Sequence, residues 1–136
     1  MSKQLGFSVE VPLAFDVAVS RVREELKHEG FGVLTEIDLR AAFREKLGRD
    51  FRPYVILGAC NPPLAFDAIT ADPTVGLLLP CNVTVEWIAD DRTGVRLTDP
   101  EALLGTTTLE GAPALASVAR GARERMLRVT EALAKQ

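Results

Sequence analysis

The alternation of apolar and polar positions predicts most of the secondary structure of this chain. Phe7, Val9 and Val11 alternate with polar residues, which is the pattern of a strand with one buried face. From Phe15 to Leu26, apolar residues recur at three- and four-residue spacing with charged residues between them. This spacing predicts an amphipathic helix. Gly30 follows, where a helix end favours a residue in the left-handed conformation.

The next segment predicts a strand, a short helix and a second strand. Residues 31–37 form the first of these strands, and Asp38 then supplies an N-cap for a helix that ends at Gly48. Residues 54–59 form the most apolar run in the chain and do not alternate with polar residues. A strand of this kind is covered on both faces or occupies a central position in its sheet.

The second half of the chain begins with a helix signal. Asn61 followed by Pro62 is typical of a helix start, and the helical pattern fades by Asp72. A strand beginning at Cys81 alternates, so that Trp87 shares its face with two valines, and we expect Trp87 to be buried against a helix. Three further elements complete the prediction: a turn over 90–94, a returning strand through Leu97, and a long helix from about Pro113 to Ala134.

The resulting order, β-α-β-α-β-α-β-β-α, is compatible with two architectures. Strands that alternate with helices suggest a parallel doubly wound sheet. The clean alternation of the first, fourth and fifth strands instead indicates a sheet with one polar side, which is typical of antiparallel sheets. We therefore expect an α+β fold in which a single antiparallel sheet carries the helices on one face. The length of 136 residues predicts one domain, 1–136.

Three segments together resemble the family known as domain of unknown function 302. They are 30–38 (GFGVLTEID), 54–62 (YVILGACNP) and 78–85 (LLPCNVTV), and the resemblance extends from the first strand to about Pro100. It implies a curved antiparallel α+β sheet of the TATA-binding and helix-grip kind, with a homodimer as the expected assembly. The resemblance implies no activity.

Composition and charge exclude several classes of partner. The chain is 47% apolar and 26% charged, as in ordinary globular proteins, and its formal net charge is −3. We therefore expect no nucleic-acid binding. No apolar run approaches the ~18 residues of a membrane span, so we expect no membrane association. The first residues lack the pattern of a secretory signal, which predicts a cytoplasmic protein with two reduced thiols.

The candidate site is a Cys-Asn dipeptide that occurs twice beside proline, as Cys60-Asn61 and Cys81-Asn82. Each dipeptide lies where a strand meets irregular backbone. Two thiolates suit a soft metal such as copper(I), whereas buried free cysteines commonly act as small apolar residues. If the two strands are antiparallel neighbours, the cysteines lie within roughly 10 Å of each other. Parallel strands would separate them by about 20 Å.

Other chemistry-bearing residues add one candidate. Glu36 is the free member of a carboxylate pair, since Asp38 already serves as a helix cap. The only histidine, His28, fits a charge at a helix end. No catalytic constellation and no cofactor motif is visible. Two classes of function stay open: a non-catalytic protein that binds a small apolar ligand or a second subunit, and a thiol-dependent protein that uses Cys60 and Cys81 for soft-metal or redox chemistry.

Overall fold

The computed structural model describes residues 4–107, 109 and 112–136. Its strands are β1 (Gly6–Val11), β2 (Gly32–Asp38), β3 (Tyr54–Cys60), β4 (Cys81–Ala89) and β5 (Arg92–Thr98). Its α-helices are α1 (Phe15–His28), α2 (Leu39–Leu47), α3 (Pro62–Ala71), α4 (Pro100–Leu104) and α5 (Pro113–Ala134), with a 3₁₀-helix at Pro73–Leu78. Within this part of the chain, none of the helices has both the length and the apolar composition needed to cross a bilayer.

The two short helices after α3 and after β5 were not predicted from the sequence. Each is preceded by an aspartate whose carboxylate accepts a backbone N–H, Asp72 from Thr74 and Asp99 from Glu101. Each aspartate is followed by proline. The cap-then-proline signal is therefore present at both places, as it is at Asn61, but neither segment is long enough to show helical periodicity.

The five strands form one open sheet in the order β1-β5-β4-β3-β2, and every neighbouring pair is antiparallel. This confirms the α+β prediction and excludes the parallel doubly wound alternative. The apolar run of β3 is an interior strand, paired with β2 on one side and β4 on the other. Its lack of alternation therefore reflects its interior position in the sheet.

The main core lies between one sheet face and the helices α1 and α5. In register across the sheet, Val9, Val95, Val85 and Val55 form one row on this face. Helix α1 contributes fully buried residues at Ala18, Val22 and Leu26, at the spacing of one helical face. The core side chains contributed by α5 are Met126, Val129 and Leu133.

Trp87 corrects one detail of the sequence analysis. It lies in the same alternating set as Val83 and Val85, but it is only half-buried and does not belong to the core. Trp87 pairs with Thr93, close to the two-residue turn at 90–91 and to the irregularity in pairing between Trp87 and Ala89. Its backbone N–H donates to the carbonyl of Pro53 at 2.9 Å.

The opposite sheet face is polar and carries a buried carboxylate. Glu86 is 8% exposed and accepts from Arg96 at 2.6 Å and from Arg52 at 2.5 Å. The hydrogen bond from Arg96, followed by that from Arg52, lowers the pKa of Glu86 against the opposing effect of burial. Ser8, Arg96 and Thr84 form a polar row across three strands. The row continues through Ile56 of β3 to the exposed Ile37 of β2, so the open face is polar over β1, β5 and β4 and apolar towards its β2 edge.

Candidate functional site

The antiparallel pairing of β3 with β4 brings the two cysteines to one end of the sheet. Cys81, the first residue of β4, lies directly opposite Ala59, and Cys60 follows Ala59 as the last residue of β3. Both thiols are reduced and half-buried, and both line the same cavity. The predicted closeness of the cysteines is confirmed, because it follows from strand direction alone.

The cavity has a volume of about 350 Å³ and lies between this end of the sheet and the surrounding helices. Its walls come from Ala59 and the two cysteines of the sheet, from one face of α3, from the 3₁₀-helix, from α4 and from α5. The buried residues beneath it form a second apolar cluster, separate from the main core and centred on Ala68, Leu104 and Leu115. Among the described residues that line the cavity, Asn61 alone has a polar amide or charged side chain.

Asn61 has its polar atoms engaged within the protein. Its Oδ1 accepts from the backbone N–H of Leu64 at 3.3 Å, which is the predicted N-cap of α3. Its Nδ2 donates to the carbonyl oxygen of Glu29 at 3.4 Å, at the C-terminal end of α1. The residue is 8% exposed. Asn61 therefore ties two helix ends together behind the cavity wall.

Burial of Cys81 works against thiolate chemistry. Burial, and to a smaller degree the charge of Cys60, raises the pKa of Cys81 to about 11. A thiol with this pKa is protonated near neutral pH and is a poor nucleophile. In the described part of the chain, no group of three or more histidine, cysteine or carboxylate side chains is arranged to hold a metal ion. Any metal at the two sulfurs would lack further protein ligands of these types.

The structure separates Asn82 from the other three members of the two dipeptides. Asn82 pairs with Gly58 and lines a groove on the open sheet face. The same groove is lined by Tyr54, Thr84 and Arg96. Asn82 follows Cys81 in β4 and points to the opposite sheet face, and it is absent from the lining of the cavity. Cys60, Asn61 and Cys81 come together, and Asn82 does not.

Glu36 also lies outside the cavity. It is opposite Leu57 in the sheet, and its carboxylate accepts from Arg23 of α1 at 2.7 Å. A bulge between Val33 and Thr35 sets its direction, because the extra residue reverses the faces of the positions that follow. Asp38 caps α2 through the N–H of Ala41, as predicted.

The sequence analysis missed the residues that create the cavity. Ala68 of α3 and Ala119 and Ala122 of α5 are buried and line it. In the sequence they belong to ordinary apolar helical stripes. Their small size was the available signal, since small residues on two facing helices leave volume unless the helices approach closely.

Comparison with known proteins identifies the family. The family model described as "Domain of unknown function DUF302" matches residues 7–133. The chain belongs to this family. A search of the solved structures finds the crystal structure of an uncharacterized conserved DUF302 protein from Bacillus stearothermophilus, with 30% sequence identity and a TM-score of 0.83. The match covers 96% of this chain and 99% of that one. No curated protein matches significantly.

Proposed function

We propose that this protein binds a small apolar molecule, without chemical change, in the cavity at the Cys60–Cys81 end of the sheet. The observation that carries the proposal is a space of about 350 Å³ whose described lining is apolar apart from the two thiols and Asn61, whose amide is already hydrogen-bonded. Apolar pockets of about 300–1,000 Å³ are typical of small-molecule sites.

The size of the cavity limits the ligand. An apolar cavity of about 150 Å³ stays dry and accepts benzene. A space roughly twice as large has room for about ten to twelve carbon atoms by the same measure. The volume depends on the small side chains of Ala68, Ala119 and Ala122, since larger apolar residues would fill it.

In this proposal the two sulfurs are part of the apolar wall. Sulfur is polarisable, and a protonated cysteine packs as a small hydrophobic residue. The alternative, a thiol-dependent function, is favoured by the closeness of Cys60 and Cys81 and opposed by the raised pKa of Cys81. Soft-metal or redox chemistry at Cys60 and Cys81 is therefore the less favoured of the two candidate functions.

The test is a fluorescence titration with N-phenyl-1-naphthylamine, a neutral apolar dye. Ala68→Leu adds bulk inside the cavity, and we expect it to weaken dye binding about tenfold or more. Ala71→Leu is the matched control, because Ala71 is exposed on the same helix and does not line the cavity. Circular dichroism establishes that both variants are folded. Dye binding by folded Ala68→Leu at wild-type affinity would contradict the proposal.

We also propose that the chain forms a homodimer through the free edge of β2. This strand ends the sheet, and its backbone has an unpaired side on which a second strand can add. Leu34 and Ile37 are 68% and 48% exposed along it. Two copies related by a two-fold axis would pair these edges and cover both side chains.

A further inference from the structure

We propose that the cavity selects uncharged ligands and rejects molecules of the same chain length that carry a carboxylate. This inference rests on the proposed function and adds the chemical class of the ligand. Three observations support it. Basic residues are absent from the described lining of the cavity, most arginines of α5 are bonded within the protein, and burial in the wall disfavours a negative charge.

Basic residues are absent from the segment that builds most of the cavity wall. Residues 53–91 contain β3, α3, the 3₁₀-helix and β4, and they include five carboxylates but no lysine, arginine or histidine. None of the described residues that line the cavity is basic. A carboxylate in the cavity would therefore find no cation in the lining.

Most of the arginines of α5, which borders the cavity, are bonded within the protein. Arg123 donates to Asp99 at 3.2 Å, and Arg125 donates to the carbonyl oxygen of Glu29 at 3.2 Å. Arg128 donates to the carboxylate of Glu29 at 2.8 Å, and Arg120 is exposed. Three of the four guanidinium groups of α5 thus already bind protein acceptors, and none of the four lines the cavity.

The cavity wall itself disfavours negative charge. Burial raises the pKa of Cys81 to about 11, so an acid built into the lining stays protonated. A ligand carboxylate entering the same space loses hydration in the same way, without a compensating cation in the described lining. Asn61 has the only side-chain amide in the described lining, and one of the two N–H groups of its Nδ2 is already bonded to the carbonyl oxygen of Glu29, which leaves at most one donor for a carboxylate. A neutral aliphatic or aromatic ligand avoids this penalty.

The experiment compares 1-decanol with decanoate, which share a ten-carbon chain, as competitors of N-phenyl-1-naphthylamine at pH 8 and below their aggregation limits. We expect 1-decanol to displace the dye at a concentration at least about tenfold lower. Decanoate displacing as well as or better than 1-decanol overturns the inference and leaves the proposed function standing. If the dye does not bind, or if neither competitor displaces it, the proposed function fails and the inference fails with it.

Because 1-decanol is also the more apolar molecule in water, a variant isolates the role of charge. Ile69 of α3 lines the cavity and is 46% exposed, so Ile69→Lys places a cation at the rim. Ile69→Gln, polar but uncharged, is the matched control for the lost apolar surface. We expect the affinity for decanoate relative to that for 1-decanol to be about five- to tenfold higher in Ile69→Lys than in Ile69→Gln. Equal relative affinities in the two variants overturn the inference.

Discussion

Cys60 lies diagonally across the sheet from Cys81, because Cys81 pairs with Ala59, the residue before Cys60. Twenty residues separate the two cysteines in the chain, and the reversal of direction between β3 and β4 brings them together. Cys81 lies in the wall of an apolar cavity, and burial there raises the pKa of its thiol, which stays protonated near neutral pH. Both cysteine side chains form part of the cavity wall.

The raised pKa of Cys81 predicts a loss of stability at alkaline pH. The thiol ionises near its usual value of 9.0 in the unfolded chain but only near 11 in the folded protein. The unfolded state therefore binds fewer protons between these values, and the free energy of unfolding should fall by up to about 2 kcal/mol as pH rises from 9 to 11.

Urea unfolding across this pH range measures the effect of Cys81. In Cys81→Ala, the free energy of unfolding should no longer show this fall between pH 9 and 11. Cys60→Ala should keep most of the fall. If the free energy of unfolding depends on pH equally in the wild-type protein and in Cys81→Ala, the Cys81 thiol has the same pKa in the folded and the unfolded state, and the prediction is wrong.

The paired arginines around Glu86 predict a second effect on stability, at acid pH. Glu86→Gln should reduce the free energy of unfolding by about 1–3 kcal/mol at pH 7. Arg52 and Arg96 both pair with the largely buried carboxylate of Glu86, and the substitution removes its negative charge. The pKa of Glu86 is lowered in the folded protein, so its contribution is complete above the usual value of 4.5 and is lost as pH falls through the folded-state pKa.

Denaturant curves at pH 7 and pH 3 test the Glu86 prediction. The difference in free energy of unfolding between the wild-type protein and Glu86→Gln should be smaller at pH 3 than at pH 7. Glu10→Gln is the control, since Glu10 is exposed and lies 3.6 Å from Arg92, where an ion pair contributes at most about 1 kcal/mol. A larger loss from Glu10→Gln than from Glu86→Gln would contradict the assignment of the buried network.

Gly58 should not tolerate a side chain. A Cβ atom there would collide with Thr35 Oγ1 and lie 2.8 Å from Pro80 Cγ. We expect Gly58→Ala to destabilise the protein by about 1–3 kcal/mol through overpacking. Gly32→Ala is the matched strand control, because a Cβ at Gly32 meets nothing within 4 Å. Thermal melts of the two variants should differ clearly, and equal melting temperatures would rule out the close approach of Pro80 to β3.

The proposed homodimer predicts a species of twice 14.8 kDa in sedimentation experiments at micromolar concentration. Ile37→Lys should shift the equilibrium towards monomer, because an edge lysine opposes strand addition. Leu47→Lys, at an exposed position on α2, should leave it unchanged. A single 14.8 kDa species for the wild-type chain would contradict the proposal. A dimer unaffected by Ile37→Lys would place the interface elsewhere.

Local chemistry was sufficient to predict several features of this fold from the sequence. Asp38 and Asn61 cap the helices that follow them, and Gly30 adopts a φ of +83° just beyond the end of α1. These features depend on a few adjacent residues. The antiparallel sheet was also predictable, because the alternation of β1, β4 and β5 records one buried and one polar face.

The composition of the site depended on which distant residues meet in space. The bulge between Val33 and Thr35 orients Glu36 towards Arg23. The alternation of side chains along β4 places Asn82 on the sheet face opposite to that of Cys81. The cavity itself exists because Ala68 of α3 and Ala119 of α5 both line it, 51 positions apart in the chain. The sequence alone determined the five strands, the four longer helices and the caps of α2 and α3 through local periodicity and hydrogen bonding. Tertiary packing alone decided which small side chains face one another, because an unfilled volume is a property of two surfaces and not of either segment.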